Sequence, residues 1–305
     1  MSARVLAYLR LLRLPTVFTA LADIFLGFLL THPALTSDEG PNPLPSFLLL
    51  CAASAGLYLS GMVFNDYFDR LIDAEERPNR PIPSGAISPA AALRLAAGLM
   101  LVGLASAAAV GPLSLGIAVA VCVLILAYDG GLKKTWLGPL VMGACRSGNV
   151  LLGASAVGSL FEFFSTSRSW PIAICLGVYI AGVTLFARQE ATISRRSALA
   201  GAAGVINSGV IGLAMLVNTN GLMAHRLPAL GILAMILFTL DRRLAVAITQ
   251  PSPQHVQLAV KVLLLSLVML DATLIYAFNG QVELAMLTVA LLIPAFGLSR
   301  VIAMT

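Results

Sequence analysis

Apolar runs separated by short polar breaks dominate the chain. They cover 15–32, 46–65, 89–109, 112–128, 137–158, 170–187, 198–218, 228–247, 256–278 and 282–303. A helix needs about 20 apolar residues to cross a bilayer. The pattern therefore predicts an all-α, polytopic bundle of nine or ten transmembrane spans. The 228–247 and 282–303 runs are the weakest and set that count. Because a bundle embedded in a bilayer is one unit, 1–305 reads as a single domain. Ahead of the first run, Arg4, Arg10 and Arg13 stand among Leu and Val. This amphipathic start predicts a helix lying at the membrane interface, not a cleaved leader.

Composition agrees. Only 11% of residues are charged against 59% hydrophobic, with a mean hydropathy of +0.93. Soluble domains carry about 25% charged residues, so this chain lacks the polar surface to cover a globule. The net charge of +5 does not point to nucleic acid, because the basic residues are scattered over short loops. There they orient the spans and face anionic membrane lipid. Cys51, Cys122, Cys145 and Cys175 each sit alone in apolar surroundings without zinc-ligand spacing, and they read as packing residues.

Basic residues gather in alternate loops. One set holds Arg70, Arg77 and Arg80, then Lys133 and Lys134, then Arg188, Arg195 and Arg196, then Arg242 and Arg243. The opposite loops hold little beyond Arg168 and Arg226. By the positive-inside rule, the N-terminus and the basic loops face the cytoplasm.

Candidate chemistry begins where the second span ends, at Asn65-Asp66-Tyr67-Phe68-Asp69-Arg70-Leu71-Ile72-Asp73. On a helix continuing from that span, Asp66, Asp69 and Asp73 fall on one stripe, with Asn65 one turn from Asp69. Carboxylates so placed repel one another unless a cation sits among them. An all-oxygen set without His or Cys suits Mg²⁺, which keeps waters and takes further ligands from a substrate phosphate. The alternative is a solvated acidic loop, since Glu75 and Glu76 follow at once. Carboxylates abutting an apolar span are costly, which favours the metal.

Arg77-Pro78-Asn79-Arg80-Pro81-Ile82-Pro83-Ser84-Gly85 comes next. Its prolines predict a stiff, extended connection, and its guanidiniums offer forks for phosphate oxygens. On the same face, Tyr128-Asp129-Gly130-Gly131-Leu132-Lys133-Lys134 presents two ammoniums on a glycine turn. Acidic, Arg-rich and Lys-rich loops on one membrane face describe a pocket for a metal–polyanion pair.

Asn-Asp-x-x-Asp-x-x-x-Asp after the second span, followed by Arg-Pro-x-Arg-Pro, resembles the first signature of the UbiA superfamily of intramembrane prenyltransferases. Tyr128 to Lys134 resembles that family's loop after its fourth helix, and Arg13-Leu14-Pro15-Thr16 leading to Gly27 is similar to its first helix. The likeness spans about two-thirds of the chain. It implies a helical bundle of nine spans around a lipid-open central cavity. It also implies Mg²⁺-dependent transfer of an isoprenoid from its diphosphate to an acceptor, often aromatic.

The family's second acidic motif should follow the sixth span, but Ala187-Arg188-Gln189-Glu190-Ala191-Thr192-Ile193-Ser194-Arg195-Arg196 stands there. Glu190 offers the one carboxylate. Two readings stay open: Glu190 helps hold a single Mg²⁺ while Arg188 or Arg195 supplies the missing positive charge, or the donor site has decayed and the protein binds a lipid without catalysis. The altered stretch is also similar to the divergent EboC-like subgroup.

Asp23, Arg146 and Asp271 interrupt apolar spans, and such residues usually face a cavity or a partner. Arg146 with Asn149 reads either as a contact to diphosphate or acceptor, or as an internal ion pair with Asp23 or Asp271.

The resemblance and the residues together assign a prenyltransferase. Asn65, Asp66, Asp69, Asp73 and Glu190 are the expected metal ligands, and Asp66, Asp69 and Lys133 the catalytic set. Arg77, Arg80, Lys133, Lys134, Arg146, Asn149, Arg188 and Tyr128 are expected around a polyprenyl diphosphate donor and an unidentified acceptor. A non-catalytic membrane binder or carrier of a prenylated lipid is the competing reading.

Overall fold

A computed structural model describes residues 3–36, 42–157, 159–165, 168–188 and 195–299. Those residues form helices and turns without a strand. In chain order the helices are α1 (Ala3–Leu11), α2 (Val17–Leu29), α3 (Leu44–Glu76), α4 (Pro89–Val110), α5 (Pro112–Asp129), α6 (Gly138–Gly153) and α7 (Leu160–Ser165). They continue with α8 (Ser169–Ala187), α9 (Arg196–Asn220), α10 (Met223–Thr249), α11 (Pro253–Asn279), α12 (Val282–Ala290) and α13 (Leu292–Ser299).

Among the described residues, eight helical segments are long and apolar enough to cross a membrane. The segments Arg4–Leu11 and Leu14–Leu29, bent by 41°, raise the number to nine if taken as one span. α6 is shorter than the 137–158 run predicted, at 16 residues, yet it packs between α5, α2 and α8 inside the bundle. The final run breaks at Leu291 into α12 and α13.

Helix boundaries follow local chemistry. Ser88 caps α4 by accepting the Ala91 N–H at 3.2 Å, with Pro89 in the first turn, where its missing donor costs nothing. Ser252 and Pro253 repeat the device at α11, which ends on Gly280 with φ 86°.

Small residues let the spans approach. A Cβ on Gly27 of α2 would strike the Val150 carbonyl of α6, and one on Gly56 of α3 would sit 2.7 Å from the Leu99 carbonyl of α4. In lipid, where no hydrophobic force draws apolar helices together, this close van der Waals contact holds the bundle.

A small satellite core positions the functional end. Ala7 and Leu11 of α1 pack with Val63 and Phe64 of α3, Ile82, Ile87, and Ala92 and Ala96 of α4. It clamps the connection after α3 beside the acidic helix end. That connection is not extended, as its prolines predicted. Arg80, Ser84, Gly85 and Ile87 donate backbone hydrogen bonds to Arg77, Arg80, Ile82 and Pro81, so it folds as consecutive turns.

Candidate functional site

α3 runs unbroken for 33 residues, through the apolar span and on through the acidic segment. Its polar end is a set of charge pairs. Arg13 donates to Asp66 Oδ1 at 2.7 Å. Arg80 reaches Asp66 Oδ1 at 3.3 Å and Asp73 Oδ2 at 2.6 Å. Lys133 Nζ donates to Asp69 Oδ2 at 2.7 Å and lies 3.7 Å from Asp129. Asn65 donates to Asp129 Oδ1 at 2.8 Å, tying the ends of α3 and α5 together. Asp66, Asp73 and Asp129 are buried despite their charge, which such pairing permits.

Arg13 owes its place to an unusual backbone. It lies in the left-handed region (φ 45°, ψ 45°) between α1 and the 3-10 turn Leu14–Thr16. Among the described residues no other non-glycine residue has a positive φ. Such a conformation costs on the order of 1 kcal/mol, which the charge pair with Asp66 helps to hold.

A cavity of about 340 Å³ opens beneath these pairs. Arg13, Arg77, Arg80, Asn65, Tyr128 and Asp129 line its polar end. Leu57, Met62, Val121, Ile125, Ile180 and Val183 give it apolar walls. Its inner end is polar again, with Asp23, Ser54, Arg146 and Asn149. Asp66, Asp69 and Asp73 do not line it. Arg13 and Arg80, bound to Asp66 and Asp73, form that part of the wall instead.

Several expected residues are thus brought together: Asn65, Asp66, Asp69, Asp73, Arg77, Arg80, Tyr128 and Lys133. Others are not. Lys134 is exposed and contributes its carbonyl, which accepts from Arg188 at 3.3 Å. Arg188 is also exposed and donates to the Thr135 carbonyl at 3.0 Å. Arg146 and Asn149 sit at the inner end. There Arg146 Nη2 lies 2.8 Å from Asp23, so the internal ion-pair alternative is the arrangement found. Glu190 and residues 189–194 lie outside the described residues.

Sequence reasoning missed Arg13 and Asp129 as site residues. Asp129 begins the glycine turn whose lysines drew attention, and a carboxylate one turn before Lys133 was the available signal. Arg13 gave a weaker one, an arginine next to a Leu-Pro start of a span.

Among the described residues, no three His, Cys, Asp or Glu side chains converge as a protein-only metal cage. The donor chemistry nevertheless fits Mg²⁺. Asp66, Asp69 and Asp73 each give one oxygen to a cation, and the other oxygens have no partner among the described residues. Mg²⁺ typically takes one or two carboxylates and completes its shell with water and substrate phosphate. Four carboxylates here face four cationic side chains, Arg13, Arg77, Arg80 and Lys133. Adding Mg²⁺ or a diphosphate alone would unbalance this set, whereas the two together nearly cancel.

The sequence profile of the UbiA prenyltransferase family matches residues 24–247. The chain belongs to the UbiA prenyltransferase family. A digeranylgeranylglyceryl phosphate synthase of Methanopyrus kandleri is 36% identical over 152 residues, covering 50% of this chain and 53% of that one. One from Methanoregula boonei is 48% identical over 88 residues, 29% and 32% of the two chains. The matches to these curated relatives thus span between a third and about half of their length. The solved UbiA homolog of Aeropyrum pernix K1 superposes with a TM-score of 0.70 at 22% identity, over 85% of this UbiA-family chain and 96% of the other. A UbiA homolog from Archaeoglobus fulgidus, solved bound to GPP and Mg²⁺, gives 0.60 at 15% identity, over 93% and 99%. These structures establish the fold.

Proposed function

We propose that this UbiA-family protein is a Mg²⁺-dependent prenyltransferase whose donor diphosphate sits at the polar end of the cavity. The observation that carries the reading is the balanced set of charge pairs joining Arg13, Arg80 and Lys133 to Asp66, Asp73 and Asp69. Entry of the diphosphate gives Arg13, Arg77, Arg80 and Lys133 an alternative partner and frees carboxylate oxygens of Asp66, Asp69 and Asp73. Those oxygens would hold Mg²⁺, with Asn65 beside them. The bound metal would withdraw electron density from the leaving group. Arg80 supplies a fork, and Lys133 a point charge, for negative charge that grows as the allylic carbon–oxygen bond breaks. The electron pair stays on the diphosphate, the acceptor's nucleophilic atom bonds to the prenyl cation, and the proton that atom loses passes to the released diphosphate. Apolar walls at Leu57, Ile125, Ile180 and Val183 exclude water that would quench that cation, while the ring of Tyr128 offers it a π face.

The relatives' names support prenyl transfer to a glyceryl phosphate in those proteins and lend no weight to an aromatic acceptor here. In this reading donor and acceptor enter from membrane lipid, and the Arg and Lys residues gathered in the loops at the donor end support a cytoplasmic position for it. A non-catalytic carrier remains the second reading. It draws on Arg188, whose side chain is engaged by loop carbonyls and not by the cavity. Incubation of the purified protein with Mg²⁺, labelled geranyl, farnesyl and geranylgeranyl diphosphates and membrane lipid extract tests the choice. Diphosphate release with a prenylated product supports the enzyme, whereas donor binding without release supports the carrier.

A further inference from the structure

The donor end holds a carboxylate that does not belong to the acidic stripe of α3. Asp129 closes α5, is 5% exposed and lines the cavity, whereas Asp66, Asp69 and Asp73 do not line it. Its Oδ1 accepts from Asn65 Nδ2 at 2.8 Å and lies 3.7 Å from Lys133 Nζ. That same ammonium donates to Asp69 Oδ2 at 2.7 Å. Lys133 therefore sits in a notch with a carboxylate from α3 on one side and one from α5 on the other. The lysine satisfies only one of them. At 3.7 Å, Asp129 is beyond hydrogen-bond range of the ammonium, so an amide and not a cation is its partner at contact distance. A buried carboxylate held that way is costly. Asp69 Oδ1, Asp129 Oδ2 and Asn65 Oδ1 have no partner among the described residues.

We propose that Asp129, together with Asp69 and Asn65, holds the Mg²⁺ of the donor site in the notch that the Lys133 ammonium fills in this structure. The inference rests on the donor reading above, and it names a ligand that the acidic stripe does not contain. The donor set is two carboxylates and an amide carbonyl, all hard oxygens, which leaves the remaining positions to water and phosphate oxygens. Lys133 already shows that a cation settles between the two helices at this point. Its flexible four-carbon stem lets the ammonium follow a diphosphate into the cavity and leave both carboxylates to the metal. Metal and diphosphate are thereby coupled: the notch takes Mg²⁺ poorly while the ammonium occupies it, and well once phosphate oxygens draw the ammonium away. Ligands from α3 and α5 on one ion would also fix the two helices against each other at the rim of the cavity.

The test counts bound metal, not turnover. Mn²⁺ serves as the probe for the Mg²⁺ site, and electron paramagnetic resonance reads its free concentration over the full-length protein in detergent. Without diphosphate, Lys133→Ala should bind Mn²⁺ at least about tenfold more tightly than wild type, because a like charge at close range is gone. Adding Asp129→Asn to that variant should abolish the gain, although the new side chain keeps the shape and the acceptor for Asn65. With the unreactive thiolo-diphosphate of geranylgeraniol bound, Asp129→Asn alone should weaken Mn²⁺ binding about tenfold or more, since loss of even an outer partner of a metal costs that much. No gain in Lys133→Ala, a gain that survives Asp129→Asn, or unchanged Mn²⁺ affinity in Asp129→Asn with the thiolo-diphosphate bound overturns the proposal. Failure of wild type to bind the thiolo-diphosphate overturns the donor reading instead, and the diphosphate-free measurements still decide the role of Asp129.

Discussion

Arg13 donates to Asp66 across 2.7 Å, joining the left-handed turn between α1 and α2 to the acidic end of α3. The contact makes the turn after α1 part of the site, and it places a guanidinium in the cavity wall where the acidic motif alone would put a carboxylate. Arg13→Ala should weaken Mg²⁺-dependent binding of geranylgeranyl diphosphate about tenfold or more, the range for a charged hydrogen bond. Arg13→Lys should recover part of that loss. Isothermal titration on the three proteins measures it.

Arg80 bridges Asp66 and Asp73 with one guanidinium. Both contacts are made by Nη1, so a lysine ammonium could keep them but lacks the second nitrogen of the fork for a phosphate oxygen. Arg80→Lys is therefore expected to retain measurable donor affinity but lose about tenfold, and Arg80→Ala to lose more. Equal affinities for wild type and both variants would remove Arg80 from the site.

Lys133 and Lys134 are neighbours with different expected roles. Lys133 touches Asp69 at 2.7 Å, while Lys134 is exposed. Initial rates of diphosphate release should drop at least tenfold in Lys133→Ala, with Lys134→Ala and Arg188→Ala staying within about threefold of wild type, as for surface charges.

Bundle packing gives a prediction independent of chemistry. Gly27 meets the Val150 carbonyl at the crossing of α2 and α6, whereas a Cβ on Gly98 of α4 meets nothing within 4 Å. Gly27→Ala should destabilise the protein by about 1–3 kcal/mol through overpacking. Gly98→Ala should be neutral or slightly stabilising, since alanine is the better helix former. Thermal unfolding in detergent reads both.

The fold class and the acidic stripe were legible because both rest on periodicity. Nine of the apolar runs each hold one α-helix, the described part of the tenth is split into α12 and α13, and the 3.6-residue repeat put Asp66, Asp69 and Asp73 together at the end of α3. What was not legible depends on contacts distant in sequence. Arg13 lies 53 residues from Asp66, and Lys133 lies 64 from Asp69, so no local pattern encodes either pair. The partners of Arg188 were hidden for the same reason, since the carbonyls it donates to belong to Lys134 and Thr135, more than 50 residues away. The prolines of the 77–85 segment predict extension, yet packing of Ile82 and Ile87 against α1 and α3 coils that segment into turns.

Equilibrium binding of geranylgeranyl diphosphate, with Mg²⁺ and with excess chelator, tests the central claim most directly in wild type and Asp69→Ala. The account predicts saturable binding to wild type that chelation weakens at least tenfold, and the loss of that Mg²⁺ effect in Asp69→Ala. Binding that ignores Mg²⁺, or an Asp69→Ala protein indistinguishable from wild type, would contradict it.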